Sequence, residues 1–330
     1  RPTRRTIIKS ALGLPAILAG ATSVTARTNS RVVIIGAGLA GLSAARDLKQ
    51  RAADVIVVEA RNRIGGRIWT SRAWPDMPMD MGASWIHGVK GNPLTSLADE
   101  AGAKRIATSY DSANAYDTKG GQIETEADTA KAEAVLRKAR AAAENSERDL
   151  SLAAAVQASK GWQAASDAER RMIRHTVNGA VEQEYGGDWT EVSAWHYDDS
   201  KEFGGDDELF PHGFDQITAW LARGLDIRLG QTVRTIGPAG RGVRVTLADG
   251  DALEADRVIL TLPLGVLRAG SVRLNAPLAQ SRQRAIETLR MGLLNKCWLR
   301  FDRIAWPDDV DWIEWIGPED GQWAQWVSLA

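Results

Sequence analysis

Residues 31–59 constrain the fold of this chain more than any other stretch. Arg31–Ile35 is a short β-branched run, as expected of a strand buried on both faces. Gly36-Ala37-Gly38-Leu39-Ala40-Gly41 follows it directly and opens a helix predicted over Leu39–Gln50. Val55–Val58 reads as a second buried strand, closed by Glu59. In such a β-α-β unit the glycines permit a tight turn, close backbone approach to a pyrophosphate and close helix–strand packing. The helix N-terminus offers free N–H groups and a partial positive charge to phosphates. An acid at Glu59 can accept hydrogen bonds from both ribose hydroxyls and repels a 2′-phosphate. The glycine spacing alone is a weak signal; between two strands and ahead of an acid it is a strong one. The reading is an α/β, Rossmann-like, dinucleotide-binding fold.

With 330 residues the chain has room for about two domains. Net charge is −1, and it becomes more acidic if residues 1–26 are removed, since Arg1, Arg4, Arg5 and Lys9 go with them and no acid does. With no basic surplus to displace counterions, nucleic acid is excluded as a partner. A single cysteine, Cys297, excludes an internal disulfide, and with only four histidines no metal site is expected. Thirteen Trp against four Tyr and four Phe suggest either broad aromatic packing or a site for flat, apolar or cationic groups.

Arg4-Arg5 precedes an apolar stretch from Ala11 to Ala21 and a small-residue exit, Val24-Thr25-Ala26. This looks like a twin-arginine signal peptide over residues 1–26. Its apolar stretch is too short to span a bilayer, so no stable membrane anchor is expected. The implied partner is the twin-arginine export machinery, and the implied location is periplasmic or secreted.

Residues 122–185 read as several helices. One start is marked by Ser166 and Glu169, a capping box. Ile173, Val177, Ala180, Val181 and Tyr185 then follow a helical stripe. Val243, Val245 and Leu247 alternate ahead of an Asp249-Gly250 turn, and Val258–Leu262 is apolar again. Between Glu182 and Glu208 ten acids face one base, Lys201, with Trp189, Trp195, Tyr197 and Phe203 interleaved. Such a field can steer a di- or polycation, or can be a solvated acidic loop.

Beyond Glu59 the motifs become specific. They are Glu59-Ala60-Arg61-Asn62-Arg63-Ile64-Gly65-Gly66-Arg67, Asp80-Met81-Gly82-Ala83-Ser84-Trp85-Ile86-His87-Gly88, Pro211-His212-Gly213-Phe214, Asp256–Leu267 and Met291-Gly292-Leu293-Leu294-Asn295-Lys296. Together the sequence resembles the flavin-containing amine oxidases, most closely their polyamine and spermine oxidase branch. The resemblance implies FAD bound by a discontinuous Rossmann-like domain, with an inserted α+β substrate-binding domain. The first would comprise residues 27–90 and 211–271; the second, residues 91–210, mostly helical, and 272–330.

It implies further that Gly36, Gly38, Gly41, Gly65 and Gly66 hold the pyrophosphate and Glu59 the adenosine ribose. Arg61 and Arg67 would contact the cofactor, Ser84 and Trp85 lie along the flavin, and Val233 contact the adenine through its backbone. Lys296 matches the active-site lysine that holds a water near flavin N5. Its segment alternates as a strand, with Cys297, Leu299 and Phe301 on one face and Lys296, Trp298 and Arg300 on the other. Alternation alone puts that lysine on a solvated face and Cys297 in the packing. His87 matches a substrate-side histidine, although a lone histidine is more often structural. Glu184 is the candidate carboxylate for a distal ammonium.

The implied reaction is oxidation of a small cationic amine, a polyamine, to an imine, with dioxygen reduced to hydrogen peroxide. Alternatives are an amino-acid or monoamine oxidase on the same fold, or an inactive FAD-fold binding module. In the resembling family the pattern runs on past the position of Ala330, so 272–330 reads as a truncated piece and residues 27–330 alone should hold FAD weakly or fold poorly. The twin-arginine route moves folded, cofactor-loaded proteins. Changing Arg4 and Arg5 together to Lys should therefore strand the intact protein in the cytoplasm, as read by fractionation. Unchanged periplasmic recovery would refute the signal.

Overall fold

The computed structural model describes residues 30–197 and 201–329; the twin-arginine segment, Asp198 and Asp199 lie outside the described residues. Four parallel strands form the central sheet: β1 (Arg31–Ile35), β2 (Asp54–Val58), β3 (Asp226–Arg228) and β4 (Arg257–Leu260), in the order β3-β2-β1-β4. Helix α1 (Leu39–Gln50) crosses from β1 to β2. The continuous apolar runs reflect burial on both faces. Val32, Ile34, Val55 and Val57 pack with Leu42 and Ala45 of α1 and with Ile217 and Leu221 of helix Asp215–Leu221. Val33, Ile35, Ile56 and Val58 pack on the antiparallel strands Val233–Ala239, Gly242–Leu247 and Ala252–Ala255. The predicted Asp249-Gly250 turn joins the last two, with Gly250 at φ +99°. The chain leaves the sheet after β2 and returns at β3, so residues 59–225 are inserted within it.

Much of the insertion is helical. Glu126–Ala143, Leu152–Gln157 and Asp167–Val177 pack around Leu136, Leu152, Val156, Ile173 and Val177. It also contains strands. Ala113–Tyr116 pairs in parallel with Trp312–Trp315, which pairs with Gln325–Val327, so late residues join the insertion. A three-stranded sheet of Trp85–Ile86, Asp207–Leu209 and Ile106–Thr108 ties the insertion to the central core through the buried Ile86.

Three sequence expectations fail here. The stripe through residue 185 breaks because Asn178–Gln183 forms a π-helical turn. Its extra residue rotates the succeeding residues by about 100°, so Val181 stays buried while Ala180 and Tyr185 are exposed. The strand expected around Lys296 is absent: residues 289–300 are irregular and join no ladder among the described residues. Lys296 and Trp298 are half-buried, whereas Arg300 is exposed, and so is Cys297, against the expectation that it packs. Alternation survives without strand pairing, and it turns the lysine inward.

The Ser166 capping box is formed on both sides. Ser166 Oγ accepts from the Glu169 N–H and the Glu169 carboxylate accepts from the Ser166 N–H. Ser166→Ala should cost about 1 kcal/mol. Thermal unfolding should show the midpoint roughly 2–4 °C lower; an unmoved midpoint would mean that the cap contributes nothing.

Candidate functional site

The three glycines of the first turn differ in what demands them. A Cβ on Gly41 would lie 1.9 Å from the Gly36 carbonyl oxygen, and Gly36 itself has φ +108° with Thr261 Oγ1 2.6 Å from where a Cβ would sit. Those two are required by the protein's own packing. Gly38 is not: its φ is −79°, and a Cβ there would meet nothing closer than the Gly66 Cα at 3.9 Å. Gly38 is also the N-cap of α1, where no side chain caps the helix. The bare turn thus keeps an open space above uncapped N–H groups, which suits a pyrophosphate. Gly65 and Gly66, at φ +95° and +60°, close the second wall. The Gly65 N–H donates to Ala37 O at 2.8 Å, and a Cβ on Gly66 would press on the Gly38 Cα at 3.3 Å.

Glu59 stands beside this cradle. Its Oε2 accepts from the Ala37 N–H and its Oε1 from the Arg61 N–H, both at 2.9 Å, which fixes the carboxylate while leaving lone pairs for hydroxyl donors. The Gln231 N–H donates to Glu59 O at 2.9 Å, so the segment leading into Val233 runs alongside; Val233 is buried. Arg61 and Arg67 are exposed at the rim. Arg61 reaches the Gly66 carbonyl at 3.5 Å, and neither guanidinium meets a carboxylate among the described residues. Burial and the adjacent Arg61 push the Arg63 guanidinium below its ordinary range. Unneutralised cations crowded beside a bare helix N-terminus fit the two phosphates of a dinucleotide.

The loop 80–85 carries the cradle toward Lys296. A Cβ on Gly82 would lie 1.7 Å from Arg67 O, so this loop lies directly against the Arg67 backbone. The Lys296 ammonium donates to Gly82 O and to Ser84 Oγ, and sits 5.4 Å from the centroid of the Trp85 ring. An ammonium has three donors, so one N–H is left for a non-protein acceptor. Burial lowers the Lys296 pKa, opposed by the Asp80 carboxylate.

Trp85 opens an aromatic column. It stacks on His87 at 6.4 Å and on Trp312 at 6.1 Å, and Trp312 stacks on Tyr110 at 4.6 Å. His87 Nδ1 lies 2.8 Å from Asp207 Oδ2. Tyr110 is 57% exposed, yet local desolvation by its neighbours raises its pKa, and the carboxylates of Asp207 and Glu184 raise it further. Glu184 is exposed at the end of the π-turn. The sequence points to His87 through its motif and to Glu184 and Asp207 through the acidic stretch, but not to Tyr110 or Trp312, which meet through strand pairing across some 200 residues.

The acidic stretch is less free than its composition implies. Glu182 meets Arg174 and accepts from Asn178 and the Trp189 N–H; Glu191 pairs with Arg290, Asp207 with His87 and Glu208 with Arg105. Glu184, Glu202 and Asp206 have no cationic partner among the described residues.

The description "Flavin containing amine oxidoreductase" belongs to the family model matching residues 39–327. The chain belongs to this family. FAD is the cofactor that membership brings, and the cradle, the acid and the free guanidiniums fit it. Among relatives, "Polyamine oxidase 2" of Arabidopsis thaliana is 32% identical over 304 residues, covering 87% of this chain and 61% of that protein. "Polyamine oxidase 4" of Oryza sativa subsp. japonica is 33% identical over 312 residues, covering 87% and 62%. "Lysine-specific histone demethylase 1 homolog 3" of Oryza sativa subsp. indica is 32% identical over 298 residues, covering 86% and 36%. The chain therefore spans about three-fifths of the length of the two polyamine oxidases.

The glycine geometry separates folding from binding. Gly38→Ala should leave the melting midpoint nearly unchanged yet weaken FAD at least about tenfold, or 1.4 kcal/mol. Gly41→Ala should cost about 1–3 kcal/mol of stability by overpacking. Thermal melts and flavin titration check both; equal FAD affinity in Gly38→Ala would remove the pyrophosphate from this turn.

Proposed function

We propose that the intact protein is an FAD-dependent oxidase of a cationic amine, with a polyamine as the favoured substrate class. The observation that carries this is the Lys296 ammonium, drawn inward onto Gly82 O and Ser84 Oγ beside Trp85, on a loop continuous with the glycine cradle. When bound, FAD supplies the acceptor for two electrons and the hydride from the carbon next to nitrogen, and passes the electrons to dioxygen to give hydrogen peroxide. The resulting imine adds water and separates into a carbonyl compound and an amine.

The roles of individual residues belong to the same proposal. Gly36, Gly38, Gly41, Gly65 and Gly66 shape the pyrophosphate seat, Glu59 accepts from the ribose, Arg61 and Arg67 neutralise phosphate, and Val233 borders the adenine. Ser84 and Trp85 hold Lys296, whose third N–H positions a water for proton movement. His87, fixed by Asp207, and Glu184 face the amine side, where the aromatic column bounds an apolar path and favours a cation. The polyamine oxidases among the relatives support this substrate class, as does the unpaired Glu184.

The domain scheme is proposed on the strand pairing. Residues 27–90 and 211–271 would form a discontinuous Rossmann-like FAD domain, and 91–210 with 272–330 the substrate domain. Export by the twin-arginine route to a periplasmic or secreted location rests on residues 1–26 alone. Among the described residues no helix is long and apolar enough to cross a membrane.

Lys296→Met keeps the apolar stem and removes the charge and donors. FAD should still bind, while turnover falls at least about tenfold, or 1.4 kcal/mol of barrier. Because burial holds this ammonium below the ordinary lysine range, turnover should fall as pH rises through the Lys296 midpoint and the charge and a donor are lost, and the Met variant should lack that limb. Peroxide formation across an amine panel, with anaerobic reduction and aerobic reoxidation followed separately, checks this. Unchanged rates in both half-reactions would overturn the role of Lys296.

A further inference from the structure

Asp80 is the only ionisable side chain that is fully buried among the described residues, 5% exposed. A buried charge is costly unless it is paired and hydrogen-bonded. Asp80 is well supplied with donors: Thr70 Oγ1 donates to its Oδ1 at 2.5 Å, and the Phe214 N–H lies 3.0 Å from both carboxylate oxygens. Those bonds tie strand Thr70–Ser71 and the Gly213-Phe214 turn to the start of the loop that holds Lys296. A neutral acceptor could make the same connections; a carboxyl group is unnecessary for packing alone.

We propose, resting on the role of Lys296 as an active-site group, that Asp80 is a positioning residue for the site. It fixes the loop 80–84 that supplies both protein acceptors of the Lys296 ammonium, and it supplies the counter-charge that keeps that ammonium protonated. The two groups act on each other in opposite directions. Burial raises the Asp80 pKa, and Lys296 holds it back; burial lowers the Lys296 pKa, and Asp80 holds it back. The other charges near Asp80 are already matched: Asp215 meets Arg72 in a two-pronged pair at 2.7 and 3.0 Å. Of the charged groups around Lys296, Asp80 alone perturbs it. The pair is therefore a local acid–base couple, shielded on the Asp80 side, that sets how much of Lys296 is protonated at a given pH.

Asp80→Asn keeps an acceptor for Thr70 and Phe214 and removes the charge. The readout is the pH profile of Lys296 acylation, measured by competitive labelling and peptide mass spectrometry on the protein without substrate. It needs no turnover, so it stands whether or not the proposed reaction is right. The Lys296 midpoint should move to lower pH by about one unit, a tenfold rise in neutral amine at fixed pH below it. Thr70→Val keeps the carboxylate and loses one hydrogen bond. It should lower stability and leave the Lys296 midpoint in place, which a merely structural role for Asp80 does not predict. Should Asp80→Asn fail to fold, reciprocity permits the reverse measurement. In Lys296→Met the infrared band of the Asp80 carboxyl should titrate at higher pH than in the wild type. An unmoved lysine midpoint in folded Asp80→Asn, or an unmoved carboxyl band in Lys296→Met, overturns the proposal.

Discussion

The contact between Gly41 and the carbonyl of Gly36 sets the terms for everything downstream. With 1.9 Å between that oxygen and a would-be Cβ, α1 can start only where it does, directly at the end of β1. That forces the uncapped helix terminus against the glycines of residues 65–66 and places Glu59 close enough for its carboxylate to reach Ala37. The rigidity of a sheet buried on both faces then carries the arrangement outward. The cradle meets the loop 80–85, and that loop meets Lys296. The glycine cradle and the Lys296 ammonium are thus two ends of one packed path.

The sequence is most informative where local rules act alone. The β-α-β unit, the acid after β2, the capping box and the Asp249-Gly250 turn each depend on neighbours within a few residues or on one helix crossing. Each is found where pattern and turn chemistry put it. Legibility falls where a local rule meets a distant partner. The stripe through Tyr185 fails because a π-turn inserts one residue, and nothing in Asn178–Gln183 marks it in advance. Around Lys296, alternation predicts a strand with its lysine outward. The inward turn is instead set by acceptors more than 200 residues away, Gly82 O and Ser84 Oγ.

The acidic segment shows why charge counting reaches only part of the way. Ten acids against one base is a strong composition signal, yet four of those acids are spent on Arg174, Arg290, His87 and Arg105. These partners come from outside the segment, so their effect cannot be read from it. What remains is a sparser pattern, in which the Glu184 and Asp207 carboxylates each bear on Tyr110. A cation is held more selectively by one or two placed carboxylates beside aromatic faces than by a diffuse field, which salt screens beyond roughly 8–10 Å.

A half-buried lysine raises a question that composition cannot address: what keeps it from losing its proton altogether, or from being expelled to solvent. Two neutral acceptors, Gly82 O and Ser84 Oγ, orient the ammonium but do little to offset desolvation. A carboxylate does offset it, and only if it is itself shielded, because an exposed one would be screened by water. Asp80 meets that condition through donors from two separate elements, Thr70 and Phe214. The Asp80 loop, the Gly213 turn with its φ of +94° and the half-buried segment at Lys296 therefore form one cooperating unit. Its parts lie in three sequence motifs that are each intelligible only as fragments. The chemistry of the site depends on the electrostatic balance among them more than on any one residue.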